Sequence, residues 1–527
     1  MPHVVTQSCC ADASCVLACP VNCIHPAPGE PGFGTAEMLY IDAAACVDCG
    51  ACTTACPVGA IDHVSRLTPD QLPFVELNAD YFVGEPHAER TPLALVPKPS
   101  YDVGPLRVAI VGAGPAGLYA ADELLKVRGM TVHVYDRLLT PHGLVRAGVA
   151  PDHVRTKRAL DLFAKIEQEQ GFDYRLGVEV GTDITHAQLR ASYDAVLYSS
   201  GAATDRRLGV PGEDLPGSVS ATELVAWYNG HPDRAHDRHD LNHRRAVVVG
   251  NGNVALDVAR VLTLPAEHLA ATDISDIALA ALRESRIEEV VVLGRRGPDQ
   301  AAFTLPELVG LTGEHDIDIV VEGEIDEISP KTRQLAALAR REPLGEGRRR
   351  IVFRFLAETE RILGDDRVTG VEVERTRLET DADGVVRGVR TGETEVIEAG
   401  LVVRSVGYRA RPVPDLPFDE QRAVVPNDAG RVEPGTYVAG WIKRGPNGFI
   451  GTNKTDATET VASLLADAAA GLLPAPTAVP PTAVGLGAID LAGWQRIATA
   501  ERRAGAAVGR PRVKLLDRDA LGAAARV

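Results

Sequence analysis

A chain of 527 residues has room for about three domains. Its 45% hydrophobic and 24% charged residues and mean hydropathy of -0.03 describe an ordinary soluble globular protein. The net charge of -17 argues against nucleic acid or an anionic membrane as partner. No apolar run reaches the roughly 18 to 20 residues that span a bilayer, and the amino terminus lacks the charged-then-apolar order of a secretory segment. A cytoplasmic location is therefore expected.

All nine cysteines lie between Cys9 and Cys56. Cys46, Cys49, Cys52 and Cys56, followed by Pro57, spell C-x2-C-x2-C-x3-C-P. In that spacing one short loop wraps three corners of an iron-sulfur cube and sends its last thiolate to a second cube. A disulfide framework is the poorer reading, since the two-residue gaps suit a metal clip and nothing directs the chain to an oxidising compartment. Upstream, Cys9, Cys15, Cys19 and Pro20 fill the first, third and fourth positions of the same run, and its second position is Asp12. Crossed ligation predicts that Cys46, Cys49, Cys52 and Cys19 hold one 4Fe-4S cluster. Cys9, Cys15 and Cys56 are left for the other, with the harder carboxylate of Asp12, or Cys10 if the loop shifts, on the fourth iron. That site is expected to be 3Fe-4S or a labile 4Fe-4S; alternatively Asp12 is an ordinary loop carboxylate. Cys10 and Cys23 occupy no required slot.

Residues 1 to about 80, with the long insert between the runs and the following segment Gln71 to Phe82, resemble the seven-iron or eight-iron bacterial ferredoxins. One basic residue, Arg66, faces nine acids there (Asp12, Glu30, Glu37, Asp42, Asp48, Asp62, Asp70, Glu76 and Asp80), so a basic protein surface is the natural complement. Prolines at 86, 92, 97, 99 and 105 then mark a linker, extended and semi-rigid, that holds this unit close to the next domain.

From Leu106 the pattern changes. Apolar Val108 to Val111 lead into Gly112, Gly114, Ala116 and Gly117, then a helical stretch from Leu118 to Val127 and a second strand from Thr131 to Tyr135. Asp136 ends that strand nineteen residues past Gly117, about where a dinucleotide fold places the carboxylate for an adenosine ribose. The glycines allow the tight turn and the approach of N-H groups to a pyrophosphate. A second fingerprint runs from Ala246 to Val249 through Gly250, Asn251, Gly252, Asn253, Val254 and Ala255 into a helical pattern to Leu262. Its next strand, Val290 to Leu293, ends in Gly294, Arg295, Arg296 and Gly297. Two guanidinium groups in place of an acid suit a 2'-phosphate and so favour NADP(H) over NAD(H).

Gly323 to Gly400 alternates charged and apolar residues and predicts strands over Ile351 to Leu356 and Val368 to Val373. Leu472 to Gly487 reads as a Pro- and Ala-rich connector. The tail from Ile489 has a helical pattern with Arg502, Arg503, Arg510, Arg512 and Lys514; it is expected to be a solvated helix or, alternatively, to dock on the acidic amino-terminal unit.

Four blocks carry a resemblance over Leu106 to Leu515: GLVRAGVAPDH from Gly143, GNGNVALDVARVL from Gly250, GRRGPDQAAFTLPE from Gly294 and GWIKRGPNGFIGTNK from Gly440. They resemble the adrenodoxin-reductase type of ferredoxin-NADP reductase, here fused to a bacterial-type ferredoxin. The resemblance implies an α/β flavoprotein with two Rossmann-like domains, the NADP domain inserted in the FAD domain, preceded by an α+β two-cluster ferredoxin domain. The implied limits are 1–82 for the ferredoxin, 83–105 for the linker, 106–201 with 407–480 for FAD, 202–406 for NADP and 481–527 for the tail.

By the same resemblance Asp136 takes the FAD ribose, Leu144 and Val180 line the flavin, and Trp441, Gly448, Phe449 and Ile450 close over it. Arg206, Asn251, Gly252, Asn253, Val254, Arg295, Arg296, Glu307 and Gly448 meet NADP. The cation-rich WIKRGP turn brings backbone N-H groups to the flavin or a phosphate. His153 modulates charge near the flavin, or serves as a structural hydrogen bonder; Gly310, where relatives can carry an acid, puts a His-carboxylate couple in doubt. The activity implied is that of an NADPH-dependent ferredoxin-NADP reductase. It splits a hydride into single electrons through FAD and passes them by the fused clusters to a ferredoxin, a cytochrome P450 or another oxidoreductase, with a monomer the expected state. An electron-input subunit similar to the small subunit of glutamate synthase, or a redox or iron sensor, are the alternatives. A pyridine nucleotide disulfide reductase is a poor alternative, because it needs a redox-active cysteine pair near the flavin and no cysteine follows Cys56.

Overall fold

A computed structural model describes residues 3–86, 101, 103–313, 316–342, 345 and 347–526. The proline-rich linker lies for the most part outside the described residues. In the cysteine-rich domain, His3–Val5 pairs antiparallel with Ile61–His63 and Ile24–His25 with Tyr40–Ile41. Each cysteine run turns into a short helix, Ser14–Ala18 and Ala51–Ala55, that ends at the fourth cysteine of its run, Cys19 or Cys56. The stretch after the second run forms the helix Pro73–Gly84. Its buried Asn78 fastens the helix down: its amide donates to Val5 O and Phe74 O (2.9 and 2.7 Å) and accepts from Ile41 N and Val5 N (3.0 and 3.2 Å). All four bonding positions of a buried amide are thereby satisfied.

Two six-stranded sheets follow, the first parallel except for the edge strand Arg431–Glu433, and their central strands are apolar and buried, as expected of sheets covered on both faces. In the first, Arg107–Val111 runs between Thr131–Asp136 and Ala195–Tyr198, with Phe172–Leu176 outermost. Thr436–Val438 returns from the far end of the chain to pair parallel with Ala195–Tyr198, so this domain is discontinuous. The second sheet is parallel throughout, in the order Ser218–Ser220, Leu401–Arg404, Arg245–Val249, Glu289–Leu293, Arg349–Arg354, Ile317–Val321. In each sheet the strand before the glycine turn has neighbours whose connections run in opposite directions, which opens a crevice at its carboxyl end. The two chain crossings between the domains, Thr204–Asp205 and Tyr408–Arg409, form an antiparallel ribbon.

The expected strands over Ile351 to Leu356 and Val368 to Val373 are found, the first in the sheet. The second belongs to a three-stranded antiparallel meander of Ala357–Leu363, Gly370–Thr380 and Val386–Glu398.

The tail is solvated on one face only. Leu491–Ala506 is a helix whose outer face, with Arg502 and Arg503, is exposed, while Arg512 and Lys514 pair with Glu501 and Asp273 rather than with the acids of the cysteine-rich domain. Trp494, Ile497 and Ala498 join the core of the first nucleotide domain. Glu501, fully buried, takes both terminal nitrogens of Arg146 at 2.8 and 2.5 Å. Lys514 reaches Asp273 at 3.1 Å, and Lys157 reaches the same carboxylate at 2.5 Å. One acid of the inserted domain is thus shared by a lysine of the first domain and one of the tail. A buried pair of this kind is costly to break because the survivor is left uncompensated.

Candidate functional site

The first glycine turn is tight for a stated reason. A Cβ on Gly117 would lie 2.1 Å from Gly112 O, and one on Gly112, at φ +112°, would lie 2.5 Å from Ser199 O. Gly114, by contrast, has nothing within 4 Å of its Cβ position and stands at the N-terminus of the helix Pro115–Leu125, where an anion is stabilised. Asp136 accepts from Ala113 N and Leu138 N, both at 2.9 Å. Burial raises its carboxyl above the ordinary range, against the lowering effect of those two N-H groups.

Leu144, on the short helix Gly143–Ala147, stays 37% exposed beside this turn. Val180 and Trp441 pack in one apolar cluster, and the Trp441 ring lies 5.2 Å from that of Tyr408. Gly440 packs on Ala116, which brings the carboxyl-terminal block over the turn. Phe449 N donates to Thr452 Oγ1 at 3.0 Å, and Gly448 adopts φ +80°. The cations of the WIKRGP turn are held by the chain's own polar groups. Lys443 is buried against Asp456 and Glu459 at 3.0 and 2.6 Å, and Arg444 donates to Asn453 Oδ1 at 2.9 Å.

The second turn repeats the first. Gly250 has φ +111°, Gly252 has open space at its Cβ position, and Asn253–Thr263 is the helix that follows. Asn251 accepts from Ala302 N and Asn253 from Thr304 N at 3.3 and 2.8 Å, tying the turn to the TLPE block; Val254 packs at the edge of the core. The Arg295 and Arg296 carbonyls are held by Thr376 Oγ1 and Leu356 N at 2.7 and 3.1 Å. Among the described residues their guanidinium groups, and that of Arg206, pair with no acid. Burial of neither arginine's charge is needed: Arg295 and Arg206 are exposed.

His153 sits between the domains in a charged network that spacing did not reveal. Its Nε2 is 2.8 Å from Arg260 Nη2, and since arginine only donates, Nε2 is then the acceptor and the ring proton sits on Nδ1. Glu307 and Asp257 approach at 3.4 and 3.7 Å. Arg260, 2% exposed, also binds Asp152, Asp257 and Glu307 at 2.6, 2.6 and 3.3 Å. Burial alone would raise Asp152, but the bonded Arg260 guanidinium outweighs it and holds the carboxyl well below its ordinary range. The ligand-type atoms of His153, Asp257 and Glu307 lie within 4.8 Å of one another, yet the guanidinium already supplies their counter-charge. At position 310 itself no acid would fit, because a Cβ on Gly310 would come within 2.1 Å of the Gln7 side chain; the carboxylates near His153 are those of Glu307 and Asp257, both bound to Arg260.

The cysteine sites differ in depth. Cys19, Cys46, Cys49 and Cys52 line one cavity, with Cys23 in the same wall. Cys23 Sγ is 3.4 Å from Cys19 Sγ, and this hydrogen bond, against burial, pulls the Cys19 thiol below its ordinary range. Cys9, Cys15 and Cys56 form the second group, and Asp12 lies close enough to act electrostatically on all three. The Asp12 carboxylate, 6% exposed, bonds Ser14 Oγ and Ser14 N and pairs with Lys454 at 3.4 Å. Cys10 belongs to the core of the first nucleotide domain.

This domain is seated on both of the others. Gly451 N donates to Cys10 O at 2.8 Å, and a Cβ on Gly451 would fall 2.4 Å from Asp12 N. Arg155 binds Asp62 and Gly59 O at 2.6 and 2.9 Å. On the inserted domain, Leu305 N donates to Glu37 at 2.7 Å and Arg333 stands 3.7 Å from Asp80. Part of the expected basic complement is therefore the chain's own surface.

Known proteins agree with this architecture. The family model "Pyridine nucleotide-disulphide oxidoreductase" matches residues 106–292 and "4Fe-4S binding domain" matches 39–62. A probable ferredoxin/ferredoxin-NADP reductase of Mycobacterium tuberculosis is 50% identical over 98% of this chain and 94% of its own length. The chain belongs to the ferredoxin/ferredoxin-NADP reductase family. The mitochondrial NADPH:adrenodoxin oxidoreductase of Arabidopsis thaliana is 40% identical over 80% of this chain and 95% of its own. The solved structure of Mycobacterium tuberculosis FprA in complex with NADPH is 42% identical, with a TM-score of 0.76, over 80% of this chain and all of that one. The share outside that match corresponds in size to the ferredoxin domain and linker. In the reductase half, sequence reasoning missed Arg260, Asp257, Asp152, Arg155 and Lys454. Each acts on a residue far away in sequence, so no local spacing marks it.

Proposed function

We propose that this chain oxidises NADPH and delivers the electrons singly, through its own iron-sulfur sites, to ferredoxin-type or cytochrome P450-type acceptor proteins. One observation carries the reading: the backbone of the cysteine-rich domain is hydrogen bonded, at Gly451 N to Cys10 O, to the block that closes over the first nucleotide turn. The residues fit the groups required: open space at Gly114 and Gly252, three unpaired guanidiniums, and a four-cysteine cavity. FAD and iron-sulfur clusters, when bound, supply the acceptance of a hydride and its division into single electrons, chemistry that no side chain performs.

The side chains do the rest. Gly112, Gly114, Ala116 and Gly117 receive the FAD pyrophosphate, and Asp136 fixes its ribose end. Leu144, Val180, Trp441, Gly448, Phe449 and Ile450 enclose the flavin and exclude water. Asn251, Gly252, Asn253 and Val254 seat the second pyrophosphate, Arg206, Arg295 and Arg296 take the 2'-phosphate, and Glu307 and Gly448 border the nicotinamide end. His153, oriented by Arg260, holds a proton on Nδ1 and tunes the charge beside the ring.

Cys19, Cys46, Cys49 and Cys52 hold a 4Fe-4S cluster. Cys9, Cys15 and Cys56 hold the other; with Asp12 already bonded to Ser14 and Lys454, a 3Fe-4S or labile 4Fe-4S cluster is favoured there. The domain limits follow the interdomain ribbon, at 106–201 with 407–480 and at 202–406, and the protein is read as a cytoplasmic monomer. Among the described residues no helix is long and apolar enough to cross a membrane. The test is anaerobic reduction of a separate bacterial-type ferredoxin. NADPH should drive it far faster than NADH, and equal rates, or none with either, would reject the reading.

A further inference from the structure

The two cysteine groups share one core but differ in what lies beside them. The Cys9, Cys15 and Cys56 group lies against the reductase. Ile450 packs in the same apolar cluster as Cys9, Cys10, Cys56, Val58 and Ala60, and Lys454 Nζ bonds Ser14 Oγ at 3.0 Å beside Asp12. The four-cysteine cavity is lined only by residues of the cysteine-rich domain, and its loop opens outward: Cys49 is exposed and Val47 is 59% exposed.

Charge divides in the same way. Asp12, Glu37, Asp62 and Asp80 point at Lys454, Lys331, Arg155 and Arg333 of the other domains. Asp42 and Asp48 stay on the outer loop, where Asp48 is half exposed beside His3 and His63. Arg66 is the only Lys or Arg among residues 1–86.

We infer that the two sites form an ordered pair. The Cys9, Asp12, Cys15 and Cys56 site is the entry, the Cys19, Cys46, Cys49 and Cys52 site is the exit, and an acceptor protein with a cationic face docks on the loop from Val47 to Gly50. The inference rests on the function proposed above. Each transfer carries one electron and no proton: the entry site is oxidised as the exit site is reduced, and the exit site is oxidised as the acceptor's metal centre is reduced. A separate carrier cannot use the seat at Gly451 and Leu305, because the fused domain fills it. Its own seat must be elsewhere, and the apolar, anion-rimmed Val47 loop is the one beside a ligand cysteine open to solvent.

Two measurements on the anaerobic full-length holoprotein test this order. In dithionite-poised samples a soluble dysprosium chelate should accelerate the EPR relaxation of the four-cysteine cluster and spare the other; equal or inverted sensitivity overturns the order. With cytochrome c as a cationic one-electron probe, carbodiimide cross-links should map to Asp42 and Asp48. Val47→Lys should raise the KM for cytochrome c about fivefold, the scale of one unfavourable charge in a docking patch, while NADPH still reduces both clusters. An unchanged KM with cross-links on residues 106–526 overturns the docking surface. Failure of the underlying function looks different: NADPH would leave both cluster signals unchanged in the unmodified protein, although dithionite reduces them.

Discussion

The two nucleotide-binding halves share one backbone and differ at their edges. Gly112 and Gly250 stand at φ +112° and +111°, each after the central strand of a parallel sheet and before an eleven-residue helix, Pro115–Leu125 or Asn253–Thr263. In the first half the next strand ends in Asp136, fixed by two backbone N-H groups. In the second it ends in Arg295 and Arg296, whose carbonyls are clamped by the meander while their guanidiniums remain unpaired. The carboxyl-terminal block closes over the first turn, where Gly440 packs on Ala116, while the ferredoxin domain touches both halves, at Gly451 and at Leu305. On the function proposed above, the glycine turn receives a pyrophosphate in either half, the strand end chooses the ribose, and the carboxyl-terminal cover over the first turn decides which nucleotide stays and which exchanges.

The largest effect is expected where the first turn is closed. Gly117→Val would drive a side chain into Gly112 O and should give protein without a yellow chromophore. Gly252→Ala, with open space at that Cβ position, should keep FAD at full stoichiometry and weaken only NADPH binding; the absorbance ratio of flavin to protein checks both. If the two variants behaved alike, the halves would not differ in closure.

Next comes the strand end. Replacing Arg295 and Arg296 together by alanine should raise the KM for NADPH about 100-fold, the scale of two charge-assisted bonds at about 1.4 kcal/mol each, and leave that for NADH nearly unchanged. Smaller still, His153→Asn should change kcat by about tenfold or less, since one such factor is about 1.4 kcal/mol of barrier.

The least effect near neutrality, and the most in acid, concerns the seam between the halves. Asp152, Asp273 and Glu501 are all held below the ordinary carboxylate range, their cationic partners outweighing burial. A depressed folded-state pKa means that the stability they add is complete above about pH 4 to 5, the range of unfolded carboxyls, and is lost as pH falls below it. Melting temperature should hold from pH 7 to 5 and then drop steeply, less so in Asp273→Asn, which starts from a lower value.

What the sequence disclosed was local. Cysteine spacing and the two glycine turns depend on a few consecutive residues, so the grouping of the cysteines and the two nucleotide-binding halves could be read directly. The tail was misread in part because all of its basic residues were counted as surface charge, which holds for Arg502 and Arg503 only. Lys514 and Arg512 instead face Asp273 and Glu501, and Trp494, Ile497, Ala498 and Glu501 already had the spacing of one helix face. The Arg260 network could not be read at all, for it joins Asp152, His153, Asp257 and Glu307 only after two domains meet. Gly310 looked like a lost acid, whereas the ferredoxin domain places Gln7 against it.

The central claim is that electrons from one bound nucleotide reach iron-sulfur sites in the same polypeptide. An anaerobic titration with NADPH, followed by visible and EPR spectroscopy on one sample, tests it most directly. The expected result is bleaching of the flavin band together with reduction of the cluster signals by substoichiometric to equimolar NADPH. A flavin that bleaches while the clusters stay oxidised, even as one-electron acceptors turn over, would contradict it.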